Sequence, residues 1–128
     1  MTATTPASRK AKGRKLQQDV ASLIRTIFEL SDLDVRSTSM GVSGTDIQMS
    51  SYALDIFPFA VECKCVEKVN LWEAWTQANN HSVTESRRTG KSINPLLVIR
   101  KSHKQPLVVL DLSKFLGFIK AFREAIKT

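Results

Sequence analysis

The stretch FAVECKC, Phe59–Cys65, has the composition of a buried β-strand yet carries two charges. An ionised side chain is costly to bury unless it is paired, hydrogen-bonded or bound to a metal. Side chains alternate across a strand. Glu62 and Lys64 therefore share one face, and Val61, Cys63 and Cys65 point the other way, into the core. Pro58 has no N–H to give to a ladder, so the strand starts at or just after it. Asp46 lies sixteen residues before Glu62, at the start of a short strand predicted over 45–49. The intervening SSYALD, 50–55, reads as a turn or hairpin end that would let the two strands pair and bring Asp46 beside Glu62. Two adjacent carboxylates repel unless something neutralises them. Mg²⁺ does so with one or two carboxylates plus water and phosphate oxygens, and the Cys63 backbone carbonyl could complete the protein ligands. A neighbouring lysine could then orient water and neutralise charge on a scissile phosphate. The same three side chains also read as an inert salt bridge on a half-exposed strand. Their setting favours a site: a strand apolar on both sides, a Gly/Ser-rich loop before Asp46, and a basic segment ahead of the first helix.

Outward from this strand, the predicted order is α-β-β-β-α-β-β-α. A helix from about Arg14 carries Leu16, Val20, Leu23, Ile24, Ile27 and Phe28 at three- and four-residue spacing. A strand near 35–37, the loop and the strand at 45–49 follow. After the central strand, Asn70 is a fair N-cap for a helix with Leu71, Trp72, Trp75 and Ala78 on one face. RRTGKSIN, 87–94, reads as a basic loop. PLLVIRK and QPLVVLD are strands joined by a tight turn. A last helix after Asp111 bears Leu112, Phe115, Leu116, Ile119, Phe122 and Ile126 as its stripe. The fold class is α/β: a mixed central sheet with helices on both faces, its central crossover right-handed where the joined strands are parallel neighbours.

With 128 residues the chain suits one domain: a flexible basic arm over 1–12, then a domain over 13–128. No apolar run approaches the ~20 residues of a membrane span, and the N-terminus lacks the apolar core of a secretory signal. Cys63 and Cys65 are the only two cysteines. At i and i+2 in a strand they are poorly placed to bridge, and C-x-C alone lacks zinc spacing. A reducing, cytoplasmic compartment is the expectation. The net charge is +7. Five of the nineteen basic residues, Arg9, Lys10, Lys12, Arg14 and Lys15, precede the first of the twelve acids. A basic arm on a near-neutral remainder suits a polyanion such as nucleic acid, or is a solvated tail.

Four segments in this order resemble the PD-(D/E)XK nuclease superfamily, and within it the archaeal-type Holliday junction resolvases and their viral relatives. KGRKLQQDVASLI (12–24) is similar to the basic-Gly start of the family's first helix. VRSTSMGVSGTDI (35–47) is similar to its loop running into a metal-binding Asp. FAVECK matches its apolar-E-x-K strand, and LWEAWTQANNHS with PLLVIRK resembles the helix and strand that follow. The likeness spans roughly residues 9–101 and implies a restriction-endonuclease-like fold and a Mg²⁺-dependent endonuclease, with Mn²⁺ as substitute. It implies that Asp46 and Glu62 bind metal, that Lys64 assists the water, and that Ser43 or Ser39 lies near the scissile phosphate. Arg36 and the five arm cations would contact DNA. The implied substrate is branched DNA, above all a four-way junction, cut by a two-fold homodimer; flap, nicked or duplex DNA, or binding without cleavage, are the alternatives. Two positions depart from the family pattern. Thr45 replaces the motif's proline. Gln17 stands where the helix carries a glutamate, and is read either as a site amide in place of a carboxylate or as a helix-surface residue. Small size is compatible with a phage or mobile-element origin.

Other polar residues divide more evenly. Arg87, Arg88 and Lys91 form a phosphate-contacting loop or a solvated one. His81 and His103 are expected at a helix end and a turn, with no carboxylate cluster around them. Gln77 reads as a surface glutamine that could support the site, and the two tryptophans as packing residues for the core or a dimer.

Overall fold

The computed structural model describes residues 5–38, 45–65, 67–68 and 70–127. Its elements are α1 (Pro6–Phe28), β1 (Val35–Ser37), β2 (Ile47–Met49), α2 (Ser51–Ile56), β3 (Phe59–Cys65), α3 (Leu71–Thr89), β4 (Asn94–Arg100), β5 (Leu107–Val109) and α4 (Leu112–Ile126). The described residues form a mixed α/β structure with two small sheets. β1 and β2 form an antiparallel pair, and β3-β4-β5 form a second sheet.

β3 and β4 run parallel over their whole length, with Glu62 opposite Leu97 and Lys64 opposite Ile99. Parallel neighbours need a long crossover, which α3 supplies. Asn70 caps α3 through its side-chain oxygen, 3.2 Å from the Glu73 N–H. Gly90 ends it at φ 70°, a left-handed conformation that glycine adopts without a Cβ penalty. β5 adds antiparallel to β4.

Alternation on β3 and β4 sorts the core. Val61, Cys63, Cys65 and Val98 join Leu16 and Ile24 of α1 on one side. Leu97 and Ile99 pack with Ala74, Ala78, Leu71 and Trp75 of α3 on the other. Helices thus cover both faces of the β3–β4 pair, and Glu62 and Lys64 face α3.

Several expectations are corrected. α1 starts at Pro6, not near Arg14. Thr5 accepts from the Ser8 N–H at 3.0 Å and Pro6 takes the first turn, a strong start signal, so residues 6–12 of the supposed arm are helical. SSYALD is not a turn. Ser50 caps the Ala53 N–H at 3.0 Å and opens α2. Arg87 and Arg88 belong to the last turn of α3 rather than to a loop. Trp72 is 76% exposed, and Ala74 and Ala78 are what α3 buries. On α1, Leu23 and Ile27 are exposed, whereas Gln17 and Ala21 are buried. α4 buries none of its stripe; Phe118 meets Phe59 ring to ring at 5.4 Å. The single expected sheet is divided, because β2 pairs with β1 and has no ladder to β3.

Candidate active site

The break between β2 and β3 is where the candidate site lies. Asp46, immediately before β2, accepts from the Cys63 backbone N–H through Oδ2 at 2.7 Å. A carboxylate does here what a strand carbonyl does in a ladder. The loop end is held by Thr38, whose N–H donates to the Asp46 carbonyl at 2.9 Å. Asp46 thereby sits over the middle of β3, beside Glu62, as expected. The means differ: a side-chain hydrogen bond brings them together, not strand pairing through a turn.

Glu62 is 4% exposed. Burial pushes its pKa up to about 8, helped by a hydrogen bond with Asp46 and by that residue's charge, and opposed by Lys64. A hydrogen bond between two carboxyl groups needs a proton in it, so near neutral pH the pair holds one negative charge rather than two. The Cys63 thiol, on the opposite face of β3, is pushed strongly upward by burial first and by the charges of Asp46 and Glu62 second. It is a core residue and not a nucleophile.

The residue that sequence reading missed is His81. Its Nδ1 lies 2.5 Å from Glu62 Oε2, across the α3–β3 interface. The signal was present. His81 follows Ala74 and Ala78 at i+7 and i+3, the spacing of one helical face, and those alanines are the residues α3 buries. Gln77 is exposed.

The other candidates scatter. Gln17 is 5% exposed within α1, the helix that packs on β1 and β3. That settles burial against the helix-surface reading. Ser39 and Ser43 lie outside the described residues. Exposed Arg36 of β1 donates to Gln48 Oε1 at 2.9 Å. Lys15 pairs with Asp19 at 2.7 Å, and Lys12 Nζ donates to Ser102 Oγ at 2.8 Å. Arg9, Lys10, Lys12, Arg14 and Lys15 all lie on α1. Arg88 pairs with Glu85 and donates to the Met49 carbonyl; Lys91 pairs with Asp55 and donates to the Ser51 carbonyl. Both sit near the N-terminal ends of β3 and β4, away from Lys64, and so does Arg87.

Among the described residues, no three His, Cys, Asp or Glu side chains are grouped so as to hold a metal ion. The two-carboxylate set still fits a hard divalent cation, because Mg²⁺ commonly takes one or two carboxylates and fills its other positions with water and phosphate. What fits is the acid pair itself: two carboxyl groups forced together share a proton, which a cation could replace. No helix among the described residues is long and apolar enough to cross a membrane. Comparisons with protein-family models, with curated proteins and with solved structures return no match to this chain.

Proposed function

We propose that this chain is a metal-dependent endodeoxyribonuclease of restriction-endonuclease-like fold, acting on branched DNA, with a four-way junction as the preferred substrate. The observation that carries the reading is the acid pair of half-buried Asp46 and buried Glu62 beside Lys64 on β3. The order of β-strands around α3, with helices on both faces of β3 and β4, agrees with such a core.

Asp46 and Glu62, with the Cys63 carbonyl, would hold Mg²⁺ or Mn²⁺. When bound, the ion supplies Lewis-acid stabilisation of the phosphoryl oxygens and lowers the pKa of water. The chain's own residues do the rest. Lys64 places a cation one strand pleat from Glu62 and offsets charge that builds on the phosphate. His81 fixes the Glu62 carboxyl from the α3 side and can exchange a proton with it. The α1 cations add sequence-independent attraction for the DNA backbone. A two-fold homodimer would supply the two cuts that a junction requires.

Gln17, an amide at the family's helix-one glutamate position, favours a second reading: a DNA-binding protein that does not cleave. Labelled four-way junction, flap, nicked and duplex DNA, incubated with Mg²⁺ or with EDTA, separate the two. Paired, metal-dependent nicks in the junction, absent from Asp46→Asn and Lys64→Ala, are expected. Cutting of another shape replaces the substrate. Binding without cutting in Mg²⁺ and Mn²⁺ overturns the enzyme.

A further inference from the structure

A second site lies past the carboxyl ends of β3 and β4, where open α/β sheets commonly place ligands. It is a cavity of about 820 Å³ between the start of α3, the end of β4 and the β4–β5 turn. Its apolar wall is Leu71, Ile99 and Leu107, and its rim carries Lys68, Arg100, Lys101 and Lys104. Glu67 is the one acid among the described lining residues. That acid is engaged with Ser102, whose hydrogen bonds hold its carboxyl below the usual range. Lys12 donates to the same serine from α1, so the turn that forms the rim is fastened both to the β3–α3 connection and to the basic helix. Arg100 is partly offset by Asp19, at 3.8 Å.

We infer that this cavity takes unpaired nucleotides of a single-stranded DNA segment, a base against Leu71, Ile99 and Leu107 and the flanking phosphates on Lys68, Lys101 and Lys104. An apolar wall under a cationic rim matches a base carried on an anionic backbone. Proteins that hold single strands combine a positive groove with surfaces on which bases rest. The volume falls in the range of ordinary ligand pockets and excludes a duplex. Lys68 follows Lys64 by four residues, a span of at most about 14 Å, so a strand seated here could continue into the acid pair. The inference rests on the nuclease reading and deepens it: a flap, or a four-way junction whose base pairs open at the crossover, would offer this pocket an unpaired strand that a continuous duplex does not.

The test is fluorescence anisotropy in EDTA, with the full chain and two probes, labelled oligodeoxythymidine of about ten nucleotides and a blunt duplex. Lys101→Glu/Lys104→Glu is expected to weaken single-strand binding by about tenfold or more while changing duplex binding by less than about threefold. Leu107→Ser, at an exposed edge position, removes wall without altering charge. It should weaken single-strand binding with an unchanged salt slope. Circular dichroism verifies that each variant is folded. Unchanged oligodeoxythymidine affinity in both variants overturns the inference and assigns the pocket to another ligand. Equal losses for both probes also overturn it, reducing the effect to general charge. No cleavage enters the readout, so a failed nuclease reading leaves these outcomes legible.

Discussion

At Glu62 one proton does what a cation could do. The fold holds Glu62 against Asp46 and His81, and its pKa lies near 8 instead of near 4.5. The sign follows. An acid whose folded pKa is raised contributes stability that is fully present below the unfolded value and is lost as pH rises through the folded one. Urea unfolding in EDTA should therefore show stability declining between about pH 4.5 and 8, with a slope no steeper than about 1.4 kcal/mol per pH unit for one proton. Asp46, Lys64 and His81 surround this carboxyl, so the control is Glu62→Gln, which should flatten the slope. A slope that persists in Glu62→Gln assigns the titration elsewhere. At this scale much was legible. Alternation alone placed Glu62 and Lys64 on one face, and Asp46 was expected beside them. His81 was less legible, because its position near a helix end hides that it is the next turn of the Ala74–Ala78 face.

At the scale of elements, the Asp46 side chain stands in for a β2–β3 ladder. Asp46→Asn keeps an acceptor for the Cys63 N–H and removes the charge that opposes Glu62, so its melting temperature should stay within a few degrees of the parent or rise. Asp46→Ala leaves the N–H without that acceptor and should cost about 1–3 kcal/mol. Denaturant titration of both variants checks this, and equal loss in the two would mean that the hydrogen bond is unimportant. The sequence could not display this arrangement, since a side chain replacing a strand acceptor has no periodic signature. The same limit explains α2. Ser50 and the run after it have the composition of a turn, although Ser50 caps the Ala53 N–H and starts a helix. The β3-α3-β4 unit was legible because its signals are strong and local: an Asn cap, a helical apolar face and two apolar strands.

At the scale of the molecule, α4 remains uncovered. Its seven large apolar residues, Leu112, Phe115, Leu116, Phe118, Ile119, Phe122 and Ile126, are all exposed. A stripe of this size is of the order that one partner buries in a standard interface, about 800 Å². The periodic stripe was legible in the sequence, but not what it packs against, because an apolar helix face has the same pattern whether it meets its own core or a second chain. Sedimentation at micromolar concentration should give a dimer, and Leu116→Glu/Phe122→Glu a folded monomer. A parent chain that sediments as a monomer removes the two-fold arrangement from the proposed function. The exposed β5 residues Leu107 and Val108 are a second apolar patch, which this variant leaves intact.

The proposed nuclease stands on the acid pair beside Lys64 acting as a hydrolytic centre. The most direct measurement is single-turnover cleavage of the DNA shape cut fastest, in Mg²⁺ and in EDTA, by the parent chain and by Glu62→Gln and Lys64→Ala of verified fold. Cleavage is expected in Mg²⁺ only, with each substitution lowering the rate by about a hundredfold or more, the scale on which lost transition-state stabilisation reads. Cleavage that survives EDTA, or that proceeds at the parent rate in Glu62→Gln, would contradict this and leave the acid pair a structural feature between β2 and β3.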